Sequence, residues 1–200
     1  MLFRGKPVTR KISNQKFYEL FADNSISGWT ASGKFITGGW RLDNDMSVTA
    51  ARELLIPVVR GEKSLPAPLK LRLHGEVRTD VIGGFAYSFL FITDPVVKLL
   101  NEMQFTGWGT YPVEIVGEIQ PAEPIYGLTI LGRVGPWVTK KAFDIKNWDG
   151  RDFCTSDRGC PPLVTERVVT AFETAKITGI IWQNTPAAGR AALKQIEKRG

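Results

Sequence analysis

Shifting the chain against itself by 72 residues lays Phe91–Gly107 over Leu163–Gly179, and five of the 17 aligned positions are identical. The identities are Thr93/Thr165, Val96/Val168, Val97/Val169, Thr106/Thr178 and Gly107/Gly179. Conservative pairs fill much of the remainder, including Ile92/Val164, Asp94/Glu166, Leu100/Phe172 and Phe105/Ile177. Chance supplies about one identity over such a window. A duplicated strand–helix–strand unit accounts for the pattern, and so do two unrelated amphipathic helices that each follow a strand. The Thr-Gly pair after each helix lies outside anything that amphipathicity requires.

The local signals agree with that unit. Phe85–Ile92 reads as a buried strand, followed by Thr93 at an N-cap position with Asp94 and Pro95 in the first turn. A threonine hydroxyl there accepts an orphan N–H, a carboxylate meets the positive end of the helix, and proline gives up no needed donor. The helix is expected to reach about Gln104, with Val96, Val97, Leu100 and Met103 on its apolar face. In the second copy, Leu163-Val164 leads to Thr165 as N-cap, Glu166 follows, and Val168, Val169 and Phe172 share a face as far as Lys176. Ile177–Trp182 then reads as a closing strand. A last amphipathic helix is expected from Pro186, capped by Thr185 and ending in Lys194, Lys198 and Arg199.

Elsewhere strands dominate. Leu69-Lys70-Leu71-Arg72-Leu73 alternates strictly, which puts its leucines on one face. Tyr111–Gly117 and Tyr126–Val134 read as further strands. Gly28-Trp29, Gly33-Lys34 and Gly38-Gly39-Trp40 punctuate short runs as hairpin turns do. Phe17, Tyr18, Leu20 and Phe21 fit a short helix or a strand equally. Thr49–Val59 suits a helix that breaks at Pro57, and Gly61–Pro68 a polar loop. The expected class is α+β, with mainly antiparallel strands, a duplicated strand–helix–strand unit and a C-terminal helix. One domain spans residues 1–200, with lobes at 1–120 and 121–200 left open.

Composition bounds the function. A 200-residue chain that is 43% hydrophobic and 23% charged has material for a packed core. The net charge of +6 favours an acidic partner or a polyanion without selecting either. The start, MLFRGKPVTRK, has no apolar stretch of export-signal length, and Gly83–Ile92 is too short to span a membrane. The expected location is therefore cytoplasmic, where Cys154 and Cys160 stay reduced.

Groups for chemistry are sparse. His74 is the only histidine, so a Ser-His-Asp site would have to use it, and no G-x-S-x-G elbow is present. Cys154 and Cys160, separated by five residues, are open to readings as free thiols, a loop disulfide or two metal ligands. Asp43-Asn44-Asp45 lacks the rest of a calcium loop, and Ser32-Gly33-Lys34 lacks the glycine spacing of a phosphate loop. Asp144, Asp149 and Asp152 cluster near Trp148, with Glu166 beyond; they are candidates for a carboxylate pair or for capping roles. Basic groups at Lys6, Arg10 and Lys11, at Lys140-Lys141 with Lys146 and Arg151, and in the C-terminal helix are not interleaved with aromatics, so nucleic acid is not the expected partner. Trp29, Trp40, Trp108, Trp137, Trp148 and Trp182 sit mostly at turns. Most are expected to cap a core with the ring while the N–H reaches solvent. No cofactor and no metal are expected.

The C-terminal third resembles a known family. Its elements are Trp148-Asp149-Gly150-Arg151-Asp152-Phe153, then Leu163-Val164-Thr165-Glu166-Arg167-Val168-Val169, then Ile177-Thr178-Gly179-Ile180. This ordered set is similar to the ending of bacterial immunity proteins from polymorphic toxin systems, in the group related to the myxobacterial immunity-domain and double-CxxCG-motif proteins. Tyr126–Ile130 fits that family's tyrosine-containing strand, and Phe91–Leu100 resembles its weaker upstream helix. The chain departs at Cys154, where the first motif has an aromatic, in a C-x5-C insert replacing paired CxxCG motifs, and in a basic extension after Thr185. The resemblance implies a protein that binds and neutralises a cognate toxin domain rather than an enzyme. The motif residues Trp148, Gly150, Asp152, Phe153, Thr165, Glu166, Thr178 and Gly179 read as scaffold, and none is an obvious toxin contact. Two other readings compete: an enzyme reversing a toxin's modification, through Asp149, Asp152 or Glu166 with His74, and a basic nucleic-acid binder.

Overall fold

A computed structural model describes residues 15–23, 28–29, 35–36, 39–42, 48–74, 79–83, 89–118, 120–139, 142–156, 161–185 and 187–188. In chain order, the first elements are strands β1 (Phe17–Ala22), β2 (Gly28–Trp29), β3 (Phe35–Ile36) and β4 (Gly39–Leu42), then helix α1 (Val48–Val59). Strands β5 (Leu69–His74), β6 (Val81–Gly83) and β7 (Leu90–Thr93) lead into helix α2 (Asp94–Glu102). After it come β8 (Trp108–Val116), β9 (Ile125–Ile130), β10 (Gly132–Arg133), β11 (Trp137–Thr139) and β12 (Ala142–Asp144). A 3-10 turn (Ile145–Asn147) precedes β13 (Phe153–Thr155) and β14 (Leu163–Thr165). Helix α3 (Glu166–Thr174), β15 (Ile180–Thr185) and β16 (Ala187–Ala188) complete the described chain. The expected α+β class with mostly antiparallel pairing is observed, in sheets ordered β4-β5-β8-β9-β7-β6 and β10-β13-β14-β1-β15, with β11-β12-β16 and β2-β3 as smaller sheets.

The 72-residue echo is structural. Val81 pairs with Ile92 and Ile82 with Phe91; Phe153 pairs with Val164 and Cys154 with Leu163, the same register one repeat later. The parallel pairing of Leu71 with Ile115 and Arg72 with Val116 recurs as Phe143 with Ala187 and Asp144 with Ala188. One strand is permuted. β9 follows β8 in the first unit, whereas β1, from the other end of the sequence, takes its place in the second. Thus Ile92–Tyr126 and Trp108–Ile130 correspond to Val164–Tyr18 and Ile180–Ala22. This settles Phe17–Phe21 as strand. Phe17 and Leu20 lie on opposite faces and are buried in different cores, while Tyr18 and Phe21 are half-buried.

Both units feed one central core. Val81, Ile92, Val96, Leu100 and Leu128 from the first meet Phe153, Val164, Val168, Phe172 and Leu20 from the second. Two flanking cores cover the other sheet faces. Leu55, Val58, Leu71, Phe91 and Tyr111 form one; Phe17, Phe143, Cys154, Leu163 and Trp148 form its counterpart.

Several expectations need correction. Helix α1 does not break at Pro57 but runs through it to Val59. The proline removes one intrahelical donor, and its own carbonyl accepts from Glu62 N at 2.8 Å. Thr93 and Thr165 have N-cap geometry, yet neither side chain makes a cap bond. Ala187–Ala188 pair with β12 as a strand where the first turn of a last helix was expected; Pro186 and residues 189–200 lie outside the described residues. Three indole N–H groups bond protein rather than water: Trp108 to Phe105 O, Trp137 to Ser156 Oγ and Trp148 to Arg151 O, each at 2.9 Å. The side chains of Trp29, Trp40 and His74 lie outside the described residues, as do Ser32–Lys34, Asp43–Asp45, Lys6, Arg10, Lys11, Lys140, Lys141 and Cys160.

Candidate interaction surface

The motif residues converge on two matched carboxylates. Asp152 Oδ2 accepts from the Thr106 N–H at 3.0 Å and the Thr106 hydroxyl at 3.1 Å, and Asp152 Oδ1 from the Thr165 hydroxyl at 3.1 Å. One repeat earlier, Asp80 Oδ2 accepts from the Thr178 N–H at 2.9 Å and hydroxyl at 2.6 Å, and Oδ1 from the Thr93 hydroxyl at 3.4 Å. Each aspartate thus holds the N-cap threonine of its own unit and the post-helix threonine of the other. Such a reciprocal exchange defines a pseudo-twofold axis between the units. Donation to a carboxylate points both hydroxyls at the aspartates, and neither oxygen accepts a cap bond from its own helix. Main-chain bonds complete both seams, Phe153 N to Thr106 O at 2.9 Å and Val81 N to Thr178 O at 3.1 Å.

The remaining motif residues support this clasp. Trp148 is buried against the edge of Phe17, with ring centroids 5.2 Å apart. Gly150 turns with φ +84°, and Phe153 is buried edge-on to Phe105 at 6.4 Å. Glu166 lies at the surface, paired with Lys16 at 2.7 Å. Of the carboxylates weighed for chemistry, Asp149 accepts from the main-chain N–H of Arg133 at 3.0 Å and of Arg151 at 3.2 Å. Asp149, Asp152 and Glu166 are therefore engaged in separate places rather than converging on one cleft. No group of three or more His, Cys, Asp or Glu among the described residues is arranged to hold a metal ion. No helix there is long and apolar enough to cross a membrane.

Cys154 is a free, fully buried thiol 3.6 Å from Leu163 O. Burial raises its pKa well above the usual thiol range, and the negative charges of Asp149 and Asp152 add to the effect. In a Cys160→Ser background, native protein is therefore expected to label with a thiol reagent at pH 8 no faster than it unfolds. Because the unfolded thiol loses its proton near pH 8.5 while the folded one keeps it, the linkage term lowers stability as pH rises through that value. Rapid labelling of the native state would contradict the assignment.

On the outer surface, the two related helices leave an open groove of about 730 Å³ between them. Leu99 of α2 and Met103 just after it line one wall, and Thr170, Ala171 and Thr174 of α3 line the other. Arg167 occupies the end where the repeat is broken, since its counterpart is Pro95. Its guanidinium lies 4.5 Å from the Phe105 ring centroid and 3.8 Å from Asp152 Oδ2, and it donates to Met103 O. Met103 is 42% exposed. Neither Asp80 nor Arg167 stood out as a functional residue in the sequence. Asp80 was within reach, because it precedes Asp152 by the same 72 residues that relate the helices. In comparisons with known proteins, the chain matches no family model and no curated sequence.

Proposed function

We propose that this protein is a cytoplasmic immunity protein that neutralises a cognate bacterial toxin domain by binding it, using the groove between α2 and α3. The observation that carries this reading is that groove. Its walls are largely apolar, an exposed methionine projects at its rim, and an arginine fixed by Asp152 and Phe105 stands at one end. Methionine adapts to varied partner surfaces, and arginine is enriched where partners are anchored. Inhibition by occupancy needs about 800 Å² of complementary surface per partner and no catalytic group. The net charge of +6 suits an acidic toxin face. The resemblance of Trp148–Ile180 to immunity proteins points the same way.

Co-purification with the toxin encoded beside this chain tests the role. Met103→Asp tests the surface: an exposed rim change is expected to leave the melting temperature nearly unchanged while weakening the complex about tenfold or more and reducing protection of cells. Absence of a complex with any neighbouring gene product would remove the role. Full protection by Met103→Asp would remove the groove as its site.

A further inference from the structure

We propose a second recognition site, independent of the groove and of the toxin reading: the edge of β8 around Thr110 takes an extended peptide segment of a partner protein by strand addition. The bond from Leu131 N to Gly107 O at 2.8 Å sets the phase of the β8–β9 ladder. With Gly109 opposite Thr129 and Tyr111 opposite Gly127, those two pairs exchange hydrogen bonds. The N–H and C=O of the intervening Thr110 consequently face away from β9. Pro112, in the same outward phase, fits because no N–H is needed there toward β9.

On that outward side β5 begins its parallel pairing only at Val113, opposite Leu69. It does not extend further back because the chain before it contains Pro66 and Pro68, which have no N–H to give. The chain instead bends away at Lys63–Leu65 and leaves a slot of about 300 Å³. Lys63, Ser64 and Leu65 form one wall, Gly109–Pro112 the other, and Val58, Thr129 and Leu131 line it between them. Gly109 has no side chain, which keeps the slot open above the sheet.

With no further main-chain bond at Thr110 among the described residues, its outward donor and acceptor, in line with an existing parallel strand, match the main chain of an extended peptide. An extended chain advances about 3.3 Å per residue, so Gly109–Tyr111 offer about 10 Å of edge. Side chains on one face of the added strand would meet Leu65 and Val58, which favours small or apolar residues there.

The test selects a phage-displayed library of random seven-residue peptides on the full chain, then measures enriched synthetic peptides by fluorescence anisotropy. Thr110→Pro removes the outward donor and copies the proline already tolerated two positions on. It is expected to weaken binding about tenfold or more with little change in melting temperature. Methylating the peptide nitrogen that pairs with Thr110 O should do the same on the unmodified chain, which keeps the test decisive if the proline variant folds poorly. Failure to enrich any peptide overturns the proposal. So does binding insensitive to both changes, or binding lost in Met103→Asp, which would place the peptide in the groove.

Discussion

Asp152→Ala is expected to cost about 2–4 kcal/mol of folding stability, because a buried carboxylate that satisfies several donors is removed. The side chain is 2% exposed and collects the Thr106 N–H, two threonine hydroxyls and the nearby Arg167 guanidinium. Removing it leaves the fully buried Thr165 hydroxyl without its acceptor and unties Thr106 and Arg167 at the edge of the seam. Asp80→Ala is the internal control. It deletes the same three threonine bonds at the related seam, but Asp80 is partly exposed and has no arginine in the position of Arg167. Water can re-enter there, so the loss is expected at about 1–2 kcal/mol. Urea unfolding of the two variants measures the difference directly. Equal losses, or a loss below about 1 kcal/mol for Asp152→Ala, would refute the account of Asp152 as the tighter of two related clasps.

The two seams also show what could be read from residues alone. The helices, their apolar faces and the strand before each were legible because amphipathic periodicity and cap-type residues are local signals. The repeat was legible as Thr93/Thr165 and Thr106/Thr178, but the reason those threonines recur was not. Their partners lie on opposite units, Thr106 on Asp152 and Thr178 on Asp80, and nothing local marks a contact across so many residues. A threonine before a helix reads as a cap by its position; only the fold reveals the aspartate to which its hydroxyl donates. The permutation that places β1 beside β14 and β15 was hidden for the same reason, since pairing partners are set by packing and not by sequence order. Helix α1 runs through Pro57 to Val59, and no count of local propensity locates a helix end to one residue. The groove and the β8 edge were illegible altogether. Both arise where chain is missing, between two helices in one case and behind two prolines in the other.

The glycines of the Thr-Gly pairs give the second large effect. Gly107 has φ +83° and Gly179 φ +81°, a region where a side chain is strained by its own backbone. Each also lies against the seam. A methyl group on Gly107 would run into the Phe153 carbonyl oxygen and come within 2.8 Å of Arg151 Cβ; on Gly179 it would run into the Val81 carbonyl oxygen and come within 2.7 Å of Thr79 Cβ. These obstacles are main chain of β13 and β6, which cannot turn aside as a surface side chain would. Moving either strand would pull on the bonds from Phe153 N to Thr106 O or from Val81 N to Thr178 O. Gly107→Ala and Gly179→Ala are therefore each expected to destabilise by about 3 kcal/mol or more, well above the ordinary cost of a left-handed alanine. Gly150→Ala separates the two contributions, because Gly150 shares the positive φ at +84° but has no atom within 4 Å of its added methyl. Its loss is expected near 1 kcal/mol, from backbone strain alone. Chemical denaturation of the three variants decides it. Similar losses at all three positions would mean that backbone conformation, and not the close approach of the two units, is why glycine follows threonine at both seams.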